Sequence, residues 1–536
     1  MTENSLNRGT SFVRQAAILA AASLFVRFIG FIYRIPLTNR IGDEGIAYYI
    51  AAYSVYTFAI ALSSGSLPAA VSRLVSERIA RRQYHNAHTM FKQAMIFAVT
   101  LGGICGLFMF VAANQLAALV SAPGAAAAVR TLGPTMLVVA PLAVFRGYFQ
   151  GMKTALPTAI SQIIEQIFKV IFTLWLTALF FDATNLGPAV AGATAGTGIA
   201  GVAGLLVVAF MYICVRSRLL SRAKRDTQYH LDESKFTQIG TLMYTALPII
   251  VSMVIFSSSN ILDLRMAINR MISSGAFTTE EARTLVGQFT GKFLLLTTLP
   301  ISLSVALSSA VIPEITSSNV EMDISAVKQK TNMALRLSMM LSIPAAVGLA
   351  VLADPIIALL FPGHPDGGWL LRYGAVSIIF IALVHVLTGV LQGLGLVKLP
   401  MIAAFCGVVI KIPINHVLIG VPRINVLGAV ISTIACFVLA AGINMYFLYK
   451  HTKILPSFSA AFVKPLLASG TMGMVCFVAY NLAAIIIPTW AATIGALVAG
   501  GLSYIAFMCI IKGFKKEDIQ AAPLPRPVRK LLQRFI

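Results

Sequence analysis

Apolar runs of about 20 residues recur from one end of this chain to the other, the length a helix needs to cross a bilayer. Within a hydrocarbon core every backbone amide must be satisfied internally, so helices or a closed barrel are the available solutions. These runs lack the two-residue alternation of barrel strands and read as helices. Of 536 residues, 58% are hydrophobic and 11% charged, against roughly 25% charged in soluble domains. We therefore expect an all-α integral membrane protein with no sizeable soluble domain.

The pattern gives about fourteen spans, near 13–34, 46–66, 91–113, 127–149, 156–180, 188–214, 239–263, 287–311, 333–353, 369–393, 399–420, 425–448, 460–482 and 490–511. The first run resembles a signal peptide in its opening, but continues through Arg27–Tyr33 and is read as a retained helix. A formal charge of +22 would suggest nucleic acid in a soluble protein. Here the basic residues sit mostly in alternate short loops, around Arg73–Lys92, Arg146–Lys153, Arg216–Lys235, Lys328, Lys398, Lys450 and Lys512 onward. The loops near Ser121, Asp182, Asp354 and Pro488 have almost none. Two loops break the pattern, one with Arg40 and one with Arg265, Arg270 and Arg283. The bias places both termini in the cytoplasm and excludes nucleic acid as a partner. The six cysteines form no Cys-x-x-Cys pair. No nucleotide, metal or nucleophile motif points to an enzyme or a cofactor.

An internal repeat organises the spans. Ala61–Pro68 (ALSSGSLP) recurs as Ala306–Pro313 (ALSSAVIP), 245 residues later. Gly147–Gly151 (GYFQG) recurs as Gly389–Gly393 (GVLQG), 242 residues later. Six spans separate the copies, an even number, which implies two six-helix lobes in parallel orientation with a pseudo-two-fold along the membrane normal. The expected organisation is a first lobe over 1–225, a second over 226–453, a two-helix appendage over 454–512 and a basic cytoplasmic tail over 513–536.

Charges inside spans are costly, about 2.5–3.5 kcal/mol each on insertion scales, and mark function or pairing. Arg27 sits well inside the first span with Arg34 near its end, Arg265 and Arg270 follow the seventh, and Lys292 enters the eighth, so all belong to the first two helices of each repeat. One reading is a cationic site for phosphate or pyrophosphate, which guanidinium forks fit well. The other is snorkelling to the interface. Arg27 is the deepest of them. Glu165 and Lys169 stand four apart in the favourable order for an intrahelical pair. They form either a self-neutralised structural pair or a coupling site for an ion or proton. With no ATP-binding motif, energy must come from the membrane potential, Na+ or H+, or the substrate.

The segments Arg27–Arg34 (RFIGFIYR), Phe145–Met152 (FRGYFQGM) and Pro157–Gln166 (PTAISQIIEQ) resemble the multidrug/oligosaccharidyl-lipid/polysaccharide exporter superfamily. Within it they look like the Gram-positive polysaccharide-transporter branch, home of lipid II flippases and stage V sporulation protein B relatives. The resemblance implies a cationic cavity for an undecaprenyl-diphosphate-linked sugar, with the lipid tail left among the membrane lipids. It maps family arginines onto Arg27 and Arg34, and family basic residues loosely onto Arg265, Arg270 and Lys292. Lipid II flipping for peptidoglycan synthesis, alongside cell-wall enzymes, is the implied function. A flippase for another undecaprenyl-linked glycan, a cation-coupled multidrug antiporter and a non-transporting scaffold remain alternatives.

Overall fold

A computed structural model describes residues 21–152, 154–226, 234–396, 398–453 and 459–514. The basic tail and the first part of the expected first span lie outside them. The described residues are almost wholly helical: α1 (Ala21–Ile32), α2 (Arg34–Ser63), α3 (Leu67–Ala80), α4 (Tyr84–Val111), α5 (Ala113–Leu119), α6 (Ala126–Gly151), α7 (Leu156–Leu179), α8 (Leu186–Asp226), α9 (Lys235–Ser273) and α10 (Thr279–Gln288). A π-turn at Phe289–Phe293 leads into α11 (Leu294–Val320). Then follow α12 (Ile324–Val351), α13 (Ala353–Leu360), α14 (Gly368–Gly374), α15 (Ser377–Gly393), α16 (Lys398–Ile419), α17 (Leu427–Thr452), α18 (Lys464–Ile486) and α19 (Thr489–Ile510).

Among the described residues, eleven segments are long and apolar enough to cross a membrane, and the bent pair α14–α15 makes twelve. Each overlaps one of the fourteen expected spans. The other two fall on α1, of which only Ala21–Ile32 is described, and on α9, whose apolar stretch Phe236–Val251 is shorter. Expected spans one and two meet without a loop. The backbone of α2 departs from helical angles at Gly42, whose φ of 69° would strain any side chain. A single glycine thus bends the chain between two spans.

The chain forms two compact units, Met1–Ile268 and Asn269–Ile536. This differs from the boundary expected at 225/226. The start of α9 belongs to the first unit because Leu242, Ala246 and Ile250 complete a core with Leu67, Val71, Met90, Phe91 and Tyr148. A second core of that unit joins Leu37, Ile41, Tyr49, Val55, Met109, Leu132 and Val190. The second unit is centred on Ile315, Leu335, Met339, Val386, Leu387, Val390 and Leu448. There α18 and α19 dock on α12, where the Tyr504 hydroxyl donates to the Met340 carbonyl at 2.9 Å. Outward faces are apolar and bare, as at Phe108, Val111, Leu206 and Phe210, as expected for a bilayer solvent.

Within each unit the two repeated motifs pack on each other. A Cβ added at Gly147 would lie 2.9 Å from the Pro68 carbonyl oxygen, and one at Gly151 2.8 Å from that of Ser72. A Cβ at Gly389 would lie 2.8 Å from the Ser308 carbonyl oxygen, and one at Gly393 2.9 Å from that of Ile312. Small residues four apart let the backbones touch. The contacts are not equivalent in register. Pro68 and Ser72 correspond in the repeat to Pro313 and Ser317, so the second unit's seam is slid by five residues, about 7.5 Å of helix. The slip accompanies a break: residues 64–66 are a turn between α2 and α3, whereas α11 is continuous. At the break Gly65 admits Met253 of α9, whose Cε would sit 2.6 Å from an added Cβ. Its counterpart is Ala310.

Candidate functional site

Polar and charged side chains converge inside the first unit. Tyr49, Tyr53 and Tyr56 recur at helical spacing along one stripe of α2, and Tyr33 stands just before that helix. The Tyr33 and Tyr49 hydroxyls are 3.0 Å apart, and both residues are buried. The Tyr53 hydroxyl hydrogen-bonds Thr197 of α8. Arg34, half-buried, has Tyr33, Tyr49 and Tyr53 as its electrostatic neighbours. From α7, the Lys169 ammonium lies over the Tyr53 ring at 4.8 Å and near the Tyr33 ring at 5.9 Å. Aromatic faces attract a cation more strongly where water is scarce.

Glu165 does not pair with Lys169. Its carboxylate accepts from Arg146 Nη2 of α6 at 2.6 Å, with side-chain exposures of 15% for Arg146 and 27% for Glu165. Arg146 Nε also donates to Ser161 Oγ at 3.0 Å. The self-neutralised intrahelical pair is therefore replaced by an interhelical one, because the last turns of α6 bring a guanidinium directly against α7. Lys169 is left to the tyrosines. On the same face of α7, buried Gln162 Oε1 and Gln166 Nε2 have no hydrogen-bond partner among the described residues. Gln166 is 8% exposed, with its Nε2 about 3.5 Å from where a Gly30 Cβ would be. A buried amide left unpaired costs about 1–3 kcal/mol, a cost that a water or a ligand group would remove.

Arg34, Arg146 and Lys169 face a single carboxylate, Glu165, within this cluster. The excess of two positive charges, ringed by hydroxyls and amides, suits an anionic, oxygen-rich ligand.

The remaining expected residues lie elsewhere. Arg27 is exposed on α1, and Arg265 is exposed on α9. Arg270 Nε donates to the His416 carbonyl at the end of α16, 3.1 Å away. Lys292 is fully buried in the π-turn. Its ammonium donates to the carbonyls of His364 and Asp366 at 2.7 and 2.8 Å, with the Phe361 ring 5.7 Å off. It ties down the segment between α13 and α14. Of the seven residues expected from sequence, then, the structure gathers Arg34, Glu165 and Lys169. Arg270 and Lys292 are each engaged by backbone carbonyls of the second unit.

A family model described as polysaccharide biosynthesis protein matches residues 12–319, more than half of the chain. The chain belongs to the polysaccharide biosynthesis protein family. A second model, MatE, matches residues 248–417, and the family lies within the MOP superfamily. All the cluster residues fall inside the first match. Among curated proteins of Bacillus subtilis (strain 168), the chain is 27% identical to the uncharacterized membrane protein YabM over 532 residues, covering 97% of this chain and 96% of that one. It is 24% identical to stage V sporulation protein B, covering 96% and 98%. It is 26% identical to lipid II flippase MurJ over 458 residues, covering 82% and 83%. Among solved structures, an inward-facing MATE-family multidrug transporter of the MOP superfamily aligns with TM-score 0.67 at 16% identity, covering 80% of this chain and 98% of that one. Lipid II flippase MurJ in an inward closed conformation aligns with TM-score 0.65 at 16% identity, covering 92% and 98%. At these identities the structures speak for the fold, that of a multi-span membrane transporter.

Proposed function

We propose that the protein flips an undecaprenyl-diphosphate-linked glycan, lipid II first among the candidates, from the inner to the outer leaflet of the bacterial plasma membrane. The observation that carries this reading is the cluster of Arg34, Arg146 and Lys169 around one carboxylate, framed by tyrosines and by unsatisfied glutamine amides. Two excess positive charges balance a diphosphate's two negative ones. The amides of Gln162 and Gln166 provide a donor and an acceptor for the adjoining sugar. The polyprenyl tail stays in the bilayer, which already solvates it. The loop charges support cytoplasmic termini, and cell-wall synthases are the expected consumers of the product. The membrane potential, Na+ or H+ supplies the energy, with Glu165 and Lys169 as the coupling candidates. Glu165 engages Arg146, so a proton or cation reaching that carboxylate would free a guanidinium for the substrate.

The similarity to stage V sporulation protein B over nearly all of both chains supports a second reading, in which the same site carries another undecaprenyl-linked glycan. The multidrug antiporter reading is weaker, since a site of net positive charge repels cationic drugs.

The test is to deplete the protein and identify the lipid-linked precursor that accumulates on the inner leaflet, then to complement with variants at matched levels. Arg34→Ala and Lys169→Ala are expected to insert normally and restore outer-leaflet exposure poorly. Arg27→Ala should do the same, since Arg27 lies one helical turn before Gly30, the residue that abuts Gln166. Arg34→Lys should restore exposure in part, because an ammonium keeps the charge without the two-pronged geometry. Full activity in Arg34→Ala and Lys169→Ala would overturn the cluster as the headgroup site. Accumulation of a precursor other than lipid II would select the second reading.

A further inference from the structure

The second unit contains a cavity of about 580 Å³ where α12, α13 and α14 meet the ends of α18 and α19. It has no part in the tyrosine cluster. Its polar lining is Asp354, Arg372, Tyr480, Asn481, Thr489 and Trp490. Arg372 and Asp354 form an ion pair, yet their side chains remain 52% and 58% exposed. The pair therefore leaves one face of the guanidinium and one face of the carboxylate open, side by side. Beyond the polar end the surface is apolar. Phe477 is 61% exposed, Leu482 61%, Ile485 81% and Ile486 85%, all on α18, and bare apolar side chains on a spanning helix face lipid. Trp490 and Tyr480 stand near the ends of their helices, the depth at which amphipathic rings meet lipid headgroups.

A ligand for this cavity needs an anion and a cation a few ångströms apart, joined to an apolar body. It must carry little net charge, because Asp354 cancels Arg372. A diphosphate headgroup fails this test: its second negative charge would face Asp354. An anionic glycerol headgroup has no cation to offer the carboxylate. A trimethylated ammonium has the charge but no N–H to donate. A primary ammonium beside a phosphodiester meets every requirement.

We propose that this cavity holds the headgroup of an aminophospholipid of the phosphatidylethanolamine class. Its phosphate accepts from Arg372, its ammonium donates to Asp354, and its acyl chains lie against Phe477, Leu482 and Ile486. The lipid is a resident of the transporter, wedged between the last two helices and the rest of the unit, and separate from the transported one. The volume lies within the usual range for small-molecule sites, about 300–1,000 Å³.

Trp490 makes the site readable. The full-length protein is placed in nanodiscs in which about a quarter of the lipid carries bromines near the headgroup end of its acyl chains. The brominated species is phosphatidylethanolamine, phosphatidylcholine or phosphatidylglycerol, and tryptophan quenching is recorded. Quenching should be strongest with the ethanolamine lipid, and that excess should vanish in Trp490→Phe. Asp354→Asn should reduce the ethanolamine lipid to the level of the choline lipid. Arg372→Gln should abolish preference among all three. Because these two changes also remove a link between α13 and α14, Ala358→Leu serves as a second probe that fills the cavity and leaves both charges in place. It should likewise erase the preference. Equal quenching by the three lipids would overturn the proposal. So would greatest quenching by the anionic lipid, or an ethanolamine preference that survives Trp490→Phe or Ala358→Leu.

Discussion

The sequence spacing sets Glu165 against Lys169, and the structure pairs it instead with Arg146 of the neighbouring helix. A double-mutant cycle decides the matter energetically. At the observed 2.6 Å, a unit charge pair in an effective dielectric of about 20 gains about 6 kcal/mol by Coulomb's law before any cost is counted. Desolvation offsets most of it, since both side chains are largely covered. A coupling energy of about 1–3 kcal/mol should survive, the usual span for residues in direct contact. An exposed intrahelical Glu–Lys pair at this spacing is worth only about 0.3–0.5 kcal/mol. The assay is reversible unfolding of purified protein in mixed micelles for Arg146→Gln, Glu165→Gln, Lys169→Gln and the two doubles. Each of the first two singles should be destabilising, because each strands a charge. Their double should recover about 1–3 kcal/mol relative to the sum of the singles. The Glu165–Lys169 double should be additive to within about 0.5 kcal/mol. Additivity in the Arg146–Glu165 cycle, or strong coupling in the other, would refute the assignment of partners.

Gly147→Ala should lower stability by about 1–3 kcal/mol, since the new methyl meets the Pro68 backbone, which cannot rotate away. Gly442→Ala, with nothing within 4 Å of the added carbon, should be neutral or stabilising by up to about 1 kcal/mol in the same unfolding assay; equal losses at both would refute the packing argument. Lys292→Met removes charge-assisted hydrogen bonds worth about 1.5–3 kcal/mol each from the carbonyls of His364 and Asp366, so amide exchange over 361–367 should accelerate. Unchanged exchange there would show that the lysine does not anchor the segment.

Much of the fold was legible because bilayer chemistry is blunt. A helix that spans must be long and apolar, and twelve of the fourteen expected spans coincide with helices that pass that test. The turn between the first two spans was harder, because one glycine does the work of a loop. The basic stretch after α8 looks like a linker, while Leu242, Ala246 and Ile250 pack the start of α9 into the preceding core. Arg146 was grouped with loop cations although it falls within the limits 127–149 expected for its own span. That mismatch was the available signal for an intramembrane partner of Glu165. The tyrosines at 49, 53 and 56 and the glutamines at 162 and 166 also share helix faces in plain view. What sequence cannot supply is which faces meet, and that alone distinguishes a polar cluster from scattered polar residues.

The duplicated scaffold has kept its seam and divided its chemistry. Both units close a glycine pair of one span onto the end of another, and this contact cannot tolerate side chains, so it persists while its register drifts by five residues. Charged residues answer to no such constraint. In the first unit Arg34 and Lys169 lie among tyrosines, Arg34 hydrogen-bonded to Tyr33 and Lys169 to Tyr53, with the Lys169 ammonium 4.8 Å from the Tyr53 ring centre. In the second, Arg270 and Lys292 are engaged by backbone carbonyl oxygens at 2.7–3.1 Å. A tyrosine hydroxyl that gives up its cation to a phosphate can turn and donate to that same phosphate. A cation holding backbone carbonyls must first abandon them, at about 1.5–3 kcal/mol for each charge-assisted bond. That difference supports the proposed assignment of ligand binding to the first unit's cations, even though Arg34, Arg270 and Lys292 sit at sequence positions that suggested a common role.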